Sequence, residues 1–332
     1  MKSATRILAA LLCVLLLLPT VVFAEAQPSL EKQIAQSAEG MSALGGKKGE
    51  LLKDRELFPA GDSVCDWLAI AMALSGTRES YSDYLAELKA HVEDAYAKNG
   101  CLDRNKATEY HRISLTVLAL GGNPTNFGTK PDGSAIDLIA EGTYNYARDP
   151  GAQGLNGWIW ALLTLDAGDT EVPADALYSR EDMVNAISVA QEPDGGFGLV
   201  SGASEADLTA MALQALAPYG RDETVERALA WLKDQMQPDG TFLAYGEPSA
   251  ESCAQVLLAL AALGIDPEQE FGSVNPETGL AEFRQADGSY AHLLTDTEGN
   301  LMATEQAMLA LCALERLPDG GCVYESKYRE AA

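Results

Sequence analysis

The chain has 332 residues, with 23 Lys and Arg against 49 Asp and Glu, and a formal net charge of −26 at pH 7. A surface this acidic repels nucleic-acid phosphates and anionic lipid headgroups. We therefore expect neither nucleic acid nor a membrane as a partner of the mature protein.

The N-terminus has the pattern of a secretory signal peptide. Lys2 and Arg6 flank the start of an apolar stretch over 7–18, and Ala24 ends a run suited to cleavage. The stretch is about twelve residues long, whereas a membrane-spanning helix needs about twenty, so an uncleaved anchor is the weaker alternative. We predict a signal peptide over 1–24, one mature domain over 25–332, and a secreted, extracellular protein. The five remaining cysteines are too few for a disulfide scaffold.

A helical pattern of small and apolar residues occurs six times along the chain. The six segments run over 65–76, 109–122, 155–166, 205–217, 252–264 and 304–314. They close on leucines spaced 45 to 51 residues apart, at Leu74, Leu120, Leu165, Leu216, Leu263 and Leu314. This period is the length of one helical hairpin. Helices that are apolar on nearly every face are buried, so we predict that these six form an inner ring.

More polar segments alternate with these helices, each with one apolar stripe at helical spacing. They run over 30–43, 81–98, 135–147, 180–191, 223–236 and 277–285. We predict that they form an outer ring, which makes the protein an all-α, α6/α6 toroid: a closed ring of six helical hairpins. The sixth inner helix should then pack on the first. An open solenoid of the same hairpins is the alternative.

A turn recurs before three of the inner helices, over 191–197, 237–242 and 285–290. Each copy begins with Gln, contains Asp-Gly and ends in an aromatic residue. Glycine supplies the positive φ that such a turn needs. We expect the aromatic ring to pack beneath the turn and the glutamine to bond backbone groups at the helix end.

These turns and helices resemble the repeats of the prenyltransferase and squalene-cyclase superfamily. The stretches that carry the resemblance are QEPDGGF (191–197), EADLTAMALQALAPY (205–219), ESCAQVLLALAALGIDP (251–267) and ATEQAMLAL (303–311). They look closest to a secreted bacterial branch that is similar to the α domain of transcobalamin and intrinsic factor, the cobalamin carriers. The resemblance covers about 28–317 and implies the toroid, but the superfamily includes enzymes, carriers and structural domains.

The motifs of the superfamily's enzymes are missing from this sequence. It has no D-x-D-D run, with which terpene cyclases protonate their substrate, and no C-G-E-Q thioester motif. Protein prenyltransferases hold zinc with an Asp-x-Cys pair, whereas Asp62 and Cys65 are one residue too far apart. The vitamin carriers cover their ligand with a β-rich domain, which we do not expect here. These departures favour a binding protein over an enzyme.

Polar residues share one register near the start of the predicted inner helices. Nine residues before the closing leucine stand Cys65, His111, Asn156, Asp207, Ala254 and Glu305, and the next position includes Asp66, Arg112, Gln255 and Gln306. Because these positions lie near the helix N-termini, their side chains should meet at one mouth of the ring. We predict there a site for a small molecule or a peptide.

Several kinds of chemistry are open to this set. Cys65, His111 and Glu305 would come from neighbouring helices and could bind zinc with a fourth position left for water. Asp207 and Glu305 could act as general acid and base. Alternatively the residues are structural: Cys65 forms a disulfide with Cys101 or is simply packed, and His111 bonds a carboxylate.

Aromatic residues could line an apolar pocket at the mouth or belong to the core; they are Trp67, Trp158, Trp160, Phe197, Phe242 and Tyr290. Three functions follow from these observations. The signal peptide and the carrier-like resemblance favour a secreted binding protein. The alternatives are a metal-assisted enzyme of the terpene-cyclase or prenyltransferase type and a structural domain of a surface assembly.

Overall fold

A computed structural model of the chain describes residues 28–46 and 49–325. The predicted signal peptide over 1–24 lies outside these residues. Within them, no helix has both the length and the apolar character that crossing a membrane requires.

The described residues are mainly helical, with one short hairpin. In chain order the helices are α1 (Leu30–Leu44), α2 (Ser63–Leu74), α3 (Tyr81–Asn99), α4 (Ala107–Ala119), α5 (Leu138–Gly142), α6 (Asn156–Ala167), α7 (Arg180–Val189), α8 (Ala206–Leu216), α9 (Glu223–Gln235), α10 (Ala250–Ala262), α11 (Pro267–Phe271), α12 (Pro276–Ala281) and α13 (Leu301–Glu315). Strands β1 (Leu243–Ala244) and β2 (Glu247–Pro248) pair antiparallel.

Six of these helices form the inner layer and match the predicted segments to within three residues; they are α2, α4, α6, α8, α10 and α13. Their sequences explain their place. In α10 every residue before Ala262 is buried, and most are Ala or Leu. Polar residues begin the helices: the Asp62 carboxylate accepts from the amides of Val64 and Cys65 at the start of α2. Such caps satisfy amides that have no partner within the helix.

Contacts between inner helices run around the whole ring. Each inner helix packs against the next, and α13 packs against α2. The Arg316 guanidinium, just after α13, donates to the Leu74 carbonyl at the end of α2 at 2.6 Å. The prediction that the sixth inner helix packs on the first is therefore confirmed.

The outer helices cover this ring in a regular way. Helices α5, α7, α9 and α12 each pack on the inner helix that precedes them in the chain. Helix α1 instead packs on α13, so the first described helix covers the last inner one.

Two outer helices are shorter than predicted. The segment 135–147 is helical only over α5, because Thr143 leaves the helical conformation and its hydroxyl donates to the Ile139 carbonyl at 2.6 Å. The segment 277–285 stops at Ala281. There the Phe283 carbonyl accepts from the Ala291 amide at 2.9 Å, which draws the chain into the recurring turn.

The three recurring turns have the predicted conformation. Gly195, Gly240 and Gly288 have φ values of +99°, +87° and +90°. The aromatic residue that ends each turn is fully buried: Phe197, Phe242 and Tyr290. The glutamine of the first copy, Gln191, donates from Nε2 to the carbonyls of Gly195 at 2.9 Å and Thr224 at 2.8 Å. Both expectations for the turn are thus confirmed.

Each turn packs its glycine against backbone of the next outer helix. A Cβ atom on Gly195 would lie 2.9 Å from the Arg227 carbonyl oxygen of α9, and one on Gly240 would lie 2.4 Å from that of Asn275, the cap of α12. A Cβ atom on Gly288 would lie 2.2 Å from the Gln36 carbonyl oxygen of α1. The third contact joins segments about 250 residues apart and so closes the outer layer.

A matched pair of glycines tests this contact. Gly288 and Gly133 have φ of +90° and +89°, but nothing lies within 4 Å of a Cβ atom on Gly133. Alanine at either site meets the left-handed backbone penalty of about 1–2 kcal/mol. We expect Gly288→Ala to lower the free energy of unfolding by at least about 2 kcal/mol more than Gly133→Ala, because only Gly288 is also overpacked. Urea denaturation followed by circular dichroism measures the difference, and equal losses would contradict the closure contact.

Candidate functional site

A cavity of about 260 Å³ lies where five of the inner helices meet; we call it the mouth cavity. Its lining residues come from α2, α6, α8, α10, α13 and the segment after α13: Ser63, Val64, Trp67, Trp160, Met211, Gln255, Met302, Glu305, Gln306, Leu309 and Tyr324. Three predicted site residues, Gln255, Glu305 and Gln306, are among them.

One side of the mouth cavity is built from three aromatic rings, which we call the aromatic wall. The ring centroids of Trp67 and Trp160 are 5.0 Å apart, and those of Tyr324 lie 6.2 Å and 6.0 Å from them. The rings are tilted to one another by 51° to 62°. Such offset contacts stabilise aromatic clusters beyond the area that they bury. The wall is therefore a rigid, apolar surface with negatively polarised faces.

A chain of side-chain amides leads from the core to the mouth cavity. Gln214 donates from Nε2 to Oε1 of Gln255 at 2.9 Å, and Gln255 donates to Oε1 of Gln306 at 3.0 Å. Gln214 and Gln255 are buried, whereas Gln306 is partly exposed. Because each amide fixes the next, the polar edge of the cavity is held in one arrangement.

Glu305 lies beside this edge and is only 4% exposed. Its Oε2 atom has no hydrogen-bond partner among the described residues. Burial, with a smaller contribution from the nearby Glu251 carboxylate, raises the pKa of Glu305 well above its ordinary value. Burial therefore favours the neutral acid at Glu305.

Asp66 and Arg112, also predicted for the site, form a structural ion pair beside the cavity. Asp66 accepts from Arg112 Nε at 3.0 Å, from the Tyr84 hydroxyl at 2.7 Å and from the Gly61 amide at 3.0 Å. Arg112 also pairs with Glu109 at 2.9 Å. With its charge and donors satisfied within the protein, this pair holds α2 and α4 together.

The proposed zinc site is wrong. His111 points to α5, where its Nε2 lies 2.7 Å from the Gly142 carbonyl rather than a carboxylate, and the Cys65 thiol faces the Leu57 carbonyl at 4.0 Å. Glu305 alone of the three lines the mouth cavity. Across residues 28–46 and 49–325, no group of three His, Cys, Asp or Glu side chains could hold a metal ion. Burial also raises the pKa of the Cys65 thiol to about 12, which disfavours the thiolate that metals bind.

The predicted disulfide between Cys65 and Cys101 is not formed either, and both residues are free thiols. The Cys101 sulfur lies 3.9 Å from the Asn99 carbonyl, at the end of α3, whereas Cys65 is buried against Leu57. The two thiols thus face different parts of the backbone.

The last two predicted residues line other cavities. Asn156 borders a pocket of about 130 Å³ that shares Trp67 and Trp160 with the mouth cavity. Asp207 borders a cavity of about 260 Å³ with Trp231 and the β1–β2 hairpin. Asp207 and Glu305 therefore do not flank one common cavity, as a general acid and base acting on a single bond would need to.

The sequence singled out Trp67 and Trp160 as possible pocket residues, but Phe197, Phe242 and Tyr290 pack beneath the turns instead. Met302 and Leu309 were missed, although they stand three before and four after Glu305 on α13, and this helical spacing could have revealed them. Tyr324 follows the last helix, and no repeat pattern indicates its position.

No protein-family model and no curated protein matches the chain. Solved structures do match its fold. The type II terpene cyclase MstE from Scytonema is 16% identical, with a TM-score of 0.54 over 88% of this chain and 99% of that one. The Candida albicans protein geranylgeranyltransferase-I complexed with GGPP is 10% identical, with a TM-score of 0.55 over 85% and 91%.

An unsaturated glucuronyl hydrolase from Streptococcus agalactiae is 9% identical, with a TM-score of 0.55 over 86% and 91% of the two chains. Three different activities thus share this architecture. The chain has the fold of the α/α-toroid superfamily. At these identities the likeness concerns the fold alone, and the resemblance to the secreted, cobalamin-carrier branch stays a prediction.

The buried His111 predicts a pH dependence of stability. Burial lowers its pKa from 6.5 to about 4 in the folded protein. Below pH 6.5 this histidine binds a proton in the unfolded chain but stays neutral in the folded protein. The free energy of unfolding therefore falls as the pH drops from about 6.5 to about 4. The loss approaches about 3 kcal/mol, since one pKa unit corresponds to about 1.4 kcal/mol.

We expect His111→Gln to remove this loss, so that the difference in unfolding free energy between variant and parent changes by about 3 kcal/mol between pH 7 and pH 4. Urea denaturation at each pH measures it. The contributions of the other titrating groups to the unfolding free energy cancel in this difference. The control is His91→Gln, which changes a histidine on the exposed surface of α3. A similar change in both variants would contradict the assignment to His111.

Proposed function

We propose that the protein binds a small, largely apolar organic molecule in the mouth cavity. The observation that carries the proposal is the aromatic wall of Trp67, Trp160 and Tyr324 along a cavity that also has a fixed polar edge. Ligand sites typically combine apolar and aromatic lining with a few placed polar groups that orient the ligand.

The size of the cavity favours a compact ligand. Its volume of about 260 Å³ is near the lower end of the usual range for small-molecule sites, about 300–1,000 Å³. This favours a small molecule over a peptide. Met211 and Met302 add flexible, polarisable side chains that can adjust to the shape of the ligand.

Blocking the mouth tests the proposal. Val64 lines the cavity and is 46% exposed, so Val64→Trp should fill the cavity without disturbing the core. Val189, 81% exposed at the end of α7, provides the matched control Val189→Trp. Indole serves as a neutral probe, with binding followed by ligand-observed NMR, and native mass spectrometry detects molecules retained from the producing cell.

We expect the parent and Val189→Trp to bind indole and to retain the same molecules, and Val64→Trp to lose at least about tenfold in affinity, or 1.4 kcal/mol. Unchanged binding in Val64→Trp would place any ligand outside the mouth cavity. Absence of binding in the parent would remove the proposed function.

A second candidate is acid catalysis. It is favoured by the raised pKa of the buried Glu305, which lines the same cavity as the aromatic wall. Aromatic faces stabilise positive charge, so a proton delivered from Glu305 to an alkene would leave a cation beside Trp67 and Trp160. The matching structures include type II terpene cyclases, one in complex with geranylgeranyl dihydroxybenzoate, and a geranylgeranyltransferase complexed with GGPP. A metal-assisted version of this enzyme is not supported, because the candidate zinc ligands Cys65, His111 and Glu305 do not meet at one place.

This candidate predicts turnover that depends on the acid. Incubation with geranylgeranyl dihydroxybenzoate or GGPP should give cyclised products by mass spectrometry, and Glu305→Gln should lower the rate by at least about 100-fold, the usual contribution of a general acid. No conversion by the parent of either compound would leave binding as the function.

Export is a further part of the proposal. It rests on the signal-peptide pattern over 1–24, and a role as a structural domain of a surface assembly would also require it. Expression in a secreting bacterial host should yield a protein whose intact mass corresponds to cleavage after Ala24. An intracellular product of full length would contradict export.

A further inference from the structure

We infer that the ligand of the mouth cavity is an organic cation, whose ammonium group lies between Glu305 and the aromatic wall. This inference rests on the proposed function and names the class of its ligand. It depends on three features of the cavity: an unpartnered carboxyl, aromatic faces and the absence of a competing positive charge.

The first feature is Glu305. Its side chain lines the cavity, is 4% exposed, and leaves Oε2 without a hydrogen-bond partner among the described residues. A buried polar atom without a partner carries a free-energy cost, because it has lost its hydrogen bonds to water. A neutral apolar ligand would leave that cost in place, whereas a cationic ligand would give the carboxylate a partner.

The second feature is the aromatic wall. Trp67 and Trp160 belong to the residue type whose ring face attracts cations most strongly. The ring centroid of Tyr324 lies within 6.2 Å of both others, so the three present a continuous aromatic surface in the cavity that Glu305 also lines. The attraction is strongest when the cation has been removed from water, as it is in a cavity. Glu305 and the wall therefore favour the same kind of ligand.

The third feature is the charge of the cavity. None of the described residues that line it is Lys, Arg or His. Arg112 borders the neighbouring pocket, but Asp66 and Glu109 neutralise it. The net charge of −26 also draws cations toward the protein. A metal ion is a poor alternative, because the structure offers no third ligand in residues 28–46 and 49–325.

Binding of the cation displaces the proton of the Glu305 carboxyl group. Burial favours the protonated form of Glu305, and so does the nearby Glu251 carboxylate of α10. Tyr324, in the C-terminal segment, is the other titratable group that interacts with Glu305. Glu251 is already paired with Nδ1 of His292 at 2.8 Å. When the ammonium group arrives, the O–H bond of Glu305 breaks, the proton passes to water, and the carboxylate keeps the electron pair and faces the cation.

Choline and 3,3-dimethylbutan-1-ol test the inference, because they have the same shape and differ only in the charge on the branched atom. We expect choline to bind at least about tenfold more tightly by isothermal titration calorimetry, a difference of 1.4 kcal/mol. Titrations in two buffers of different ionisation enthalpy should show release of a proton on choline binding and none with the alcohol.

Variants assign the effect to the site. Glu305→Gln should abolish both the preference for choline over the alcohol and the proton release. Asp207→Asn, a carboxyl that lines the other cavity, should change neither. If Glu305→Gln does not fold, judged by circular dichroism, Trp67→Leu replaces it and should weaken choline more than the alcohol.

The outcomes separate the two proposals. If indole binds but choline has no advantage over the alcohol, the ligand is not a cation and small-molecule binding still stands. If choline binds equally well to Val64→Trp, its site is elsewhere and the inference falls. If neither indole nor choline binds to the parent at concentrations up to about 10 mM, so that any binding free energy is weaker than about −2.7 kcal/mol, both proposals fail.

Discussion

The packing of glycine in the recurring turns against the next outer helix is the constraint on which the ring depends. At Gly195, Gly240 and Gly288 the backbone comes so close to a neighbouring carbonyl that no side chain fits between them. Each contact sets the distance from one hairpin to the next, while the buried aromatic residue at the end of the turn fixes its depth. The contact at Gly288 joins the last turn to α1, and so converts a row of hairpins into a ring.

Closure also creates the mouth cavity. Glu305 on α13 and Trp67 on α2 are about 240 residues apart in the chain and line one space only because α13 packs on α2. The cavity lies at the helix N-termini, where an inner layer rich in alanine gives way to larger and more polar side chains. The same architecture occurs in cyclases, a transferase and a hydrolase, so the fold by itself does not specify a function.

The sequence predicted the fold closely, because apolar periodicity and Asp-Gly turns are local signals. It predicted those parts of the site where equivalent positions on several inner helices line the mouth cavity. Counted from the closing leucine, Trp160, Met211 and Leu309 share one lining position, and Gln255 and Gln306 share another. The predicted register, nine residues before the closing leucine, fails at Cys65, His111, Asn156 and Asp207, none of which lines the mouth cavity. A shift of one position along a helix turns a side chain by about 100° about the helix axis, and such a shift is enough to turn Cys65 and His111 away from the cavity. They contact the backbone carbonyls of Leu57 and Gly142 instead, and a repeat pattern does not predict such tertiary contacts.

The pairing of α1 with α13 has a consequence for how the protein reaches its native state. These helices pack on each other but lie at opposite ends of the described chain, so the apolar stripe of α1 lacks its main helical partner until α13 has been synthesised. During that interval the stripe is a surface for aggregation or for a chaperone. Folding must also overcome the entropy of closing a loop of more than 250 residues, although this cost grows only logarithmically with length. A chain held unfolded until it is complete avoids the first problem.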